Sequence, residues 1–127
     1  MANIPAEVQL AVNILDDKRA EDIVVLNLME VSDSLDWFVI ASGTSTPHLR
    51  SLDADVRAKM KEAGYEAVSL EGPSERWVLL DFASVTVHIM SRDAREFYDL
   101  EGLWGDAEPV DVQPAETANH VPAEALG

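Results

Sequence analysis

The sequence predicts an α/β domain: a mixed sheet of about five strands with helices packed against it. Three observations lead there. Apolar residues recur at helical spacing in three separate stretches. Five short runs between them are rich in Val, Ile, Leu and aromatic residues, and the order is helix, two strands, helix, three strands, helix. With 127 residues, 47% of them hydrophobic, the chain has material for one core and is expected to form one domain.

Pro5 sits where a first helical turn tolerates it, and Val8, Ala11, Val12 and Leu15 form an apolar stripe, so a helix is predicted from about Ala6 to Lys18. Asp16 and Asp17 oppose the helix dipole at its end and leave that boundary soft. Ile23 to Leu28 is an almost continuous apolar run, which suits a strand buried on both faces. After a polar connection, Trp37 to Ala41 reads as the second strand and Ser42 to Ser45 as a small polar loop. Thr46 as N-cap and Pro47 as first helical residue open the clearest helix, whose stripe of Leu49, Leu52, Val56, Met60 and Ala63 runs down to Gly64. Tyr65 to Leu70 predicts a third strand, and Glu71 to Ser74 a turn.

The stretch from Arg76 to Trp104 organises the rest. Two apolar runs meet at Ala83 and Ser84, and a hairpin about those residues pairs Phe82 with Val85, Leu80 with Val87 and Val78 with Ile89 on a core-facing side. The other side pairs Asp81 with Thr86, Leu79 with His88 and Trp77 with Met90, a face to be covered by a helix or met by a partner. Ser91 then caps a helix with Asp93 in its first turn, and Ala94, Phe97, Glu101 and Trp104 along one side with Tyr98 adjacent. From Gly105 onward the chain has three prolines, several alanines and no Lys or Arg. Little apolar surface is available there to offset the entropy of ordering, so the domain is expected to end at residue 107, with residues 108–127 a disordered acidic tail.

The net charge is -15, from 24 acidic and 9 basic residues, which makes general binding to phosphate backbones costly. Free nucleic acid is therefore not expected as a partner, whereas a basic protein, even one embedded in a nucleic-acid assembly, would be attracted. The plain alternative is that acidity serves solubility alone. The absence of cysteine removes thiolate chemistry, disulfides and zinc-thiolate sites. Nothing resembles a membrane span or a signal peptide, so the chain reads as soluble and cytoplasmic.

One constellation raises an enzymatic reading. Gly43, Thr44 and Ser45 followed by Asp53 and Asp55 mimics the layout with which nucleotidyltransferases hold a triphosphate and two metal ions. Two metals need both carboxylates at one point, but residues i and i+2 of a helix point about 200° apart, so the geometry works against it. The Gly43 loop also lacks a P-loop lysine. Of the histidines, His48 and His120 are expected to be exposed and inert, and His88 to be structural or part of an interface. Trp77, Phe97, Tyr98 and Trp104 are most simply packing residues, yet a face carrying Trp77, Met90 and His88 near Arg95 and Tyr98 has the composition of a recognition surface.

The segments DWFVIASGTS (36–45), EG (71–72), WVLLDFASVTVHIM (77–90) and AREFYDLEGLWGDA (94–107) together resemble the ribosomal silencing factor, or Iojap, family, in consistent order over about residues 5–107. The resemblance implies a nucleotidyltransferase-like core without catalytic carboxylates and a non-enzymatic translation repressor with no cofactor. It implies docking on large-subunit ribosomal protein fourteen at the subunit interface, where the small subunit is blocked from joining and protein synthesis falls under nutrient limitation. It also implies a homodimer when free. Carried onto this chain, the partner surface falls on Trp77, Leu79, Asp81, His88 and Met90, with Arg95, Tyr98, Leu100 and Trp104 beside it. Ala83 and Ser84 depart from the Gly-Asp more usual in the family. A two-residue turn with positive φ strains alanine, so a shifted pairing or a widened turn is expected.

Overall fold

The computed structural model describes residues 4–67 and 76–114. In chain order the elements are α1 (Ala6–Asp17), β1 (Glu21–Asn27), β2 (Trp37–Gly43), α2 (Thr46–Glu62), β3 (Trp77–Asp81), β4 (Val85–Ser91), α3 (Arg92–Tyr98), α4 (Leu100–Leu103) and β5 (Glu108–Val110). The five strands form one sheet in the order β3-β4-β2-β1-β5. β2 and β4 run parallel, and the other pairs are antiparallel, so the sheet is mixed as predicted.

Alternation along the central strands splits the core into two layers. Trp37, Val39 and Ala41 of β2 with Val85, Val87 and Ile89 of β4 meet the apolar stripes of α1 and α2. Phe38 and Ile40 of β2 with Met90 of β4 point the other way, against Ala94 of α3, Leu100 of α4 and Ala107. Every residue of β2 is buried, as a strand covered on both faces requires.

Four local expectations need correction. Ser45, not Thr46, caps α2: its backbone is extended and its side-chain hydroxyl accepts the His48 N–H at 3.2 Å, which moves Thr46 and Pro47 into the first helical turn. Residues 65–67 are not strand, and the rest of the expected 65–70 strand, with the turn at 71–74, lies outside the described residues. The fifth strand is β5, within the stretch read as a tail: Val110 pairs with Val25, Pro109 with Leu26 and Glu108 with Asn27. Pro109 is tolerated because β5 is an edge strand. Val110 and Val112 then pack on the α1–α2 layer, and Gln9 Nε2 donates to the Gln113 carbonyl at 3.0 Å, so the packed chain continues past residue 107.

The fourth correction concerns the hairpin, which keeps the pairing predicted from alternation, Trp77 with Met90 through Asp81 with Thr86. The turn at Ala83 and Ser84 does not widen. Ala83 takes φ +73° instead, the Phe82 N–H donates to the Val85 carbonyl at 2.9 Å, and the Asp81 carboxylate accepts the Ala83 N–H at 2.8 Å. A slip by one residue would turn Leu80, Val87 and Ile89 away from their core, and that loss outweighs the strain at one alanine. Ala83→Gly is therefore expected to raise stability by roughly 0.5–1 kcal/mol, because it releases left-handed strain faster than it adds unfolded-state entropy. The urea midpoint reads this directly, and a lowered midpoint would mean that Ala83 carries no strain.

Candidate functional site

The loop after β2 and the helix after it were the candidate for phosphoryl chemistry. A cavity of about 300 Å³ does lie there, between the Gly43–Thr46 loop and Arg76, Ser91 and Arg92, but neither Asp53 nor Asp55 lines it. Asp53 is held by Arg57 at 3.0 Å and Asp55 by Lys59 at 3.5 Å, each one helical turn along α2. Ser45 is occupied by its capping bond and Arg92 by Glu21. His48, expected to be inert, is a staple. Its Nδ1 accepts the Thr44 N–H at 2.9 Å while Nε2 lies 2.8 Å from the Lys18 carbonyl, a pair of contacts that requires the neutral ring protonated on Nε2. Of the residues that mimicked a nucleotide site, Thr44 thus joins His48 in tying the β2–α2 loop to the end of α1, and the carboxylates pair within α2.

The second candidate is the sheet face under α3 and α4. Here a row of rings runs from solvent into the core. Phe97 meets Tyr98 edge to face at 5.0 Å between centroids, Tyr98 meets Trp77 at 4.8 Å, and Trp77 meets His88 at 5.9 Å. Inside, His88 packs on Phe38 at 4.4 Å, and Phe38 on Trp104 at 5.9 Å. The outer end is open, with Phe97 81% exposed and Tyr98 40% exposed, and Leu103 is 75% exposed on the neighbouring α4.

Of the nine residues expected on the partner surface, the structure divides the set. Trp77, Leu79 and Asp81 stand half-buried on β3, the edge strand, and Tyr98 and Trp104 retain exposed surface beside them. His88, Met90 and Leu100 are buried, at 2%, 0% and 6% exposure, and offer nothing to a partner directly. The reason is topological: β4 is an interior strand, and α3 and α4 close over its second face. Arg95 is also engaged, forked onto the Glu101 carboxylate at 3.0 Å through two nitrogens and donating to the Ser42 hydroxyl at 2.9 Å.

Phe97 and Leu103 belong to the exposed apolar surface although the sequence reading placed neither there. Phe97 faces solvent from α3 although Ala94 on the same helix is buried, and a single continuous helix would have kept Trp104 in phase with both. Instead α3 stops at Asp99, whose φ of +46° breaks the helical phase and whose carboxylate caps α4 by accepting the Gly102 N–H at 3.2 Å. The signal was present in the sequence as Asp99 followed three residues later by Gly102, a cap within an apparent helix. A side chain added at Gly102 would collide with the Asp99 carboxylate.

His88 fixes the chemistry of this layer. Trp77 Nε1 donates to His88 Nδ1 at 3.1 Å, and because an indole nitrogen is only a donor, His88 must be neutral with its proton on Nε2. That Nε2 is buried and has no partner among the described residues. Burial pushes the imidazole pKa down from 6.5 to about 4.

Fold and face together define an α/β domain whose accessible aromatic surface sits at the sheet edge, with no cluster of His, Asp and Glu suited to a metal ion among the described residues. The family described as "Ribosomal silencing factor during starvation" matches residues 1–125. A ribosomal silencing factor from Halalkalibacterium halodurans is 42% identical over 106 residues, 83% of this chain and 91% of that protein. A crystal structure of a protein from Chromobacterium violaceum aligns with a TM-score of 0.76 at 34% identity, covering 91% of this chain and 98% of that one. A mouse protein named "Mitochondrial assembly of ribosomal large subunit protein 1" is 33% identical over 102 residues, 77% of this chain and 45% of its own length. The chain belongs to the ribosomal silencing factor family.

Two outcomes follow from the geometry. The unfolded chain protonates His88 near pH 6.5 and the folded chain only near 4, so the unfolded state binds the extra proton in between. Stability from this group is whole above that window, falls by about 3 kcal/mol as pH drops through it, and levels off below. Urea titrations of the native chain and of His88→Asn, which cannot titrate, should diverge between these pH values; parallel curves would sink the assignment. Separately, Gly102→Ala is expected to cost about 1–2 kcal/mol by displacing the Asp99 cap, measured as a lower midpoint that adding Asp99→Gly, which keeps the left-handed backbone free of strain, does not lower further.

Proposed function

We propose that this chain is a translation repressor that docks on the large ribosomal subunit through ribosomal protein fourteen, at the subunit interface, and blocks the small subunit by occupying that surface. Protein synthesis then falls under nutrient limitation. The reading is supported by membership of the silencing factor family and by the name of the mouse relative, which concerns assembly of the ribosomal large subunit. The observation that carries it is the half-open aromatic row of Phe97, Tyr98 and Trp77 beside Leu79 at the sheet edge. Exposed aromatic surface of this kind anchors protein interfaces, with a few residues supplying most of the affinity.

In this reading the chain acts by occupancy rather than by chemistry. Its charge of -15 favours a basic ribosomal protein over bare RNA, and Asp81 ends β3 while Glu96 and Asp99 adjoin Phe97 and Tyr98 in the chain. The free chain is a cytoplasmic homodimer, so its supply of monomer depends on concentration.

Sedimentation with separated subunits at low and moderate salt tests the proposal. Co-migration with the large subunit alone, weakened by salt and accompanied by loss of subunit joining, is the expected result; failure to bind either subunit would overturn it. Trp77→Ala should weaken binding by roughly 2 kcal/mol, about 30-fold, while the fold persists. Phe97→Ala should weaken it less, because its ring is backed on one side only.

A further inference from the structure

We infer that His88 is a positioning residue, which holds the indole of Trp77 in the orientation that meets the partner; the inference rests on the docking role proposed above. His88 lies opposite Leu79 on the neighbouring strand, two residue pairs along the ladder from Trp77 and on the same face, and its Nδ1 accepts the indole N–H at 3.1 Å. At 2% exposure it cannot itself touch a partner. Its ring is clamped in turn by Phe38, at 4.4 Å between centroids, so the acceptor does not swing with the edge strand.

The second observation is what this arrangement costs. The buried Nε2–H of His88 has no partner among the described residues, and a donor left unsatisfied in an apolar layer works against folding. A leucine of similar volume would pack among Phe38, Trp77 and Met90 without that penalty. The histidine therefore does not contribute its polarity to stability. What the polarity does accomplish is outward: it satisfies and aims the one polar side-chain atom of a half-exposed tryptophan, while the Tyr98 ring packs tilted against that indole at 4.8 Å. Trp77 is thus ordered before any partner arrives, which removes part of the entropy cost of docking.

The test compares His88→Leu, which removes the acceptor, with His88→Asn, whose Oδ1 stands near the position of Nδ1. Three readouts are taken on the full chain: the Trp77 indole N–H resonance, assigned with Trp77→Phe; the urea midpoint; and affinity for isolated large subunits. His88→Leu is expected to move the indole resonance, to keep or raise the midpoint, and to weaken binding by roughly three- to tenfold. His88→Asn is expected to restore the resonance and most of the affinity. An unmoved resonance in His88→Leu would overturn the positioning role, as would weaker binding that merely tracks a lower midpoint. If Trp77→Ala binds as tightly as the native chain while the resonance still moves in His88→Leu, the docking reading has failed and the hydrogen bond is structural only.

Discussion

The parallel pairing of β2 with β4, from Trp37 beside Val85 to Gly43 beside Ser91, is the constraint on which the rest of the molecule depends. A parallel pair in the middle of a sheet must be covered on both faces, and this chain covers it unequally. The two long helices α1 and α2 seal one face with a layer of aliphatic side chains. The other is closed by two short helices and the segment around Ala107. Most of the buried polar side chains among the described residues lie in the thinner layer: Ser42, Thr86 and His88 are buried there or at its margin, against Asn13 on α1.

That asymmetry separates the tasks of the two faces. The α1–α2 side contributes most of the aliphatic burial and tolerates little beyond packing. The α3–α4 side is held by directed bonds, with Arg95 forked onto Glu101 and tied to Ser42, Asp99 capping α4, and Trp77 hydrogen-bonded to His88. Such bonds fix geometry more than they stabilise. They leave Phe97, Tyr98 and Leu103 facing solvent from short elements that a purely apolar layer of this size would not hold in place.

The same division explains why the chain resembles a phosphoryl-transfer layout without the geometry for it. The polar loop after β2 and the acidic residues of α2 serve the aliphatic side: the loop is stapled by His48 to the end of α1, and the carboxylates pair with basic residues one turn along their own helix. Their spacing in the sequence reflects helix capping and surface ion pairs.

Much of this was legible in the sequence because it rests on local periodicity. The course of α1 and α2, the two central strands and the pairing of the β3–β4 hairpin follow from apolar spacing, and the motifs from Asp36 to Ala107 were enough to identify the family resemblance. Alternation also told that Trp77, His88 and Met90 share a side of the sheet. It did not tell which of them would be covered, because burial depends on elements distant in the chain: α3 and α4 fold over β4 but stop short of the edge strand, so Met90 is buried while Trp77 remains half-open. β5 escaped for the same reason, since three residues including a proline have no strand signal of their own and exist as a strand only by pairing with β1. The sequence by itself determined the two long helices, the first four strands, the hairpin register and the family resemblance; only the tertiary structure decided β5, the break between α3 and α4, and which side chains face solvent, because covering a sheet face is a non-local event that no local pattern records.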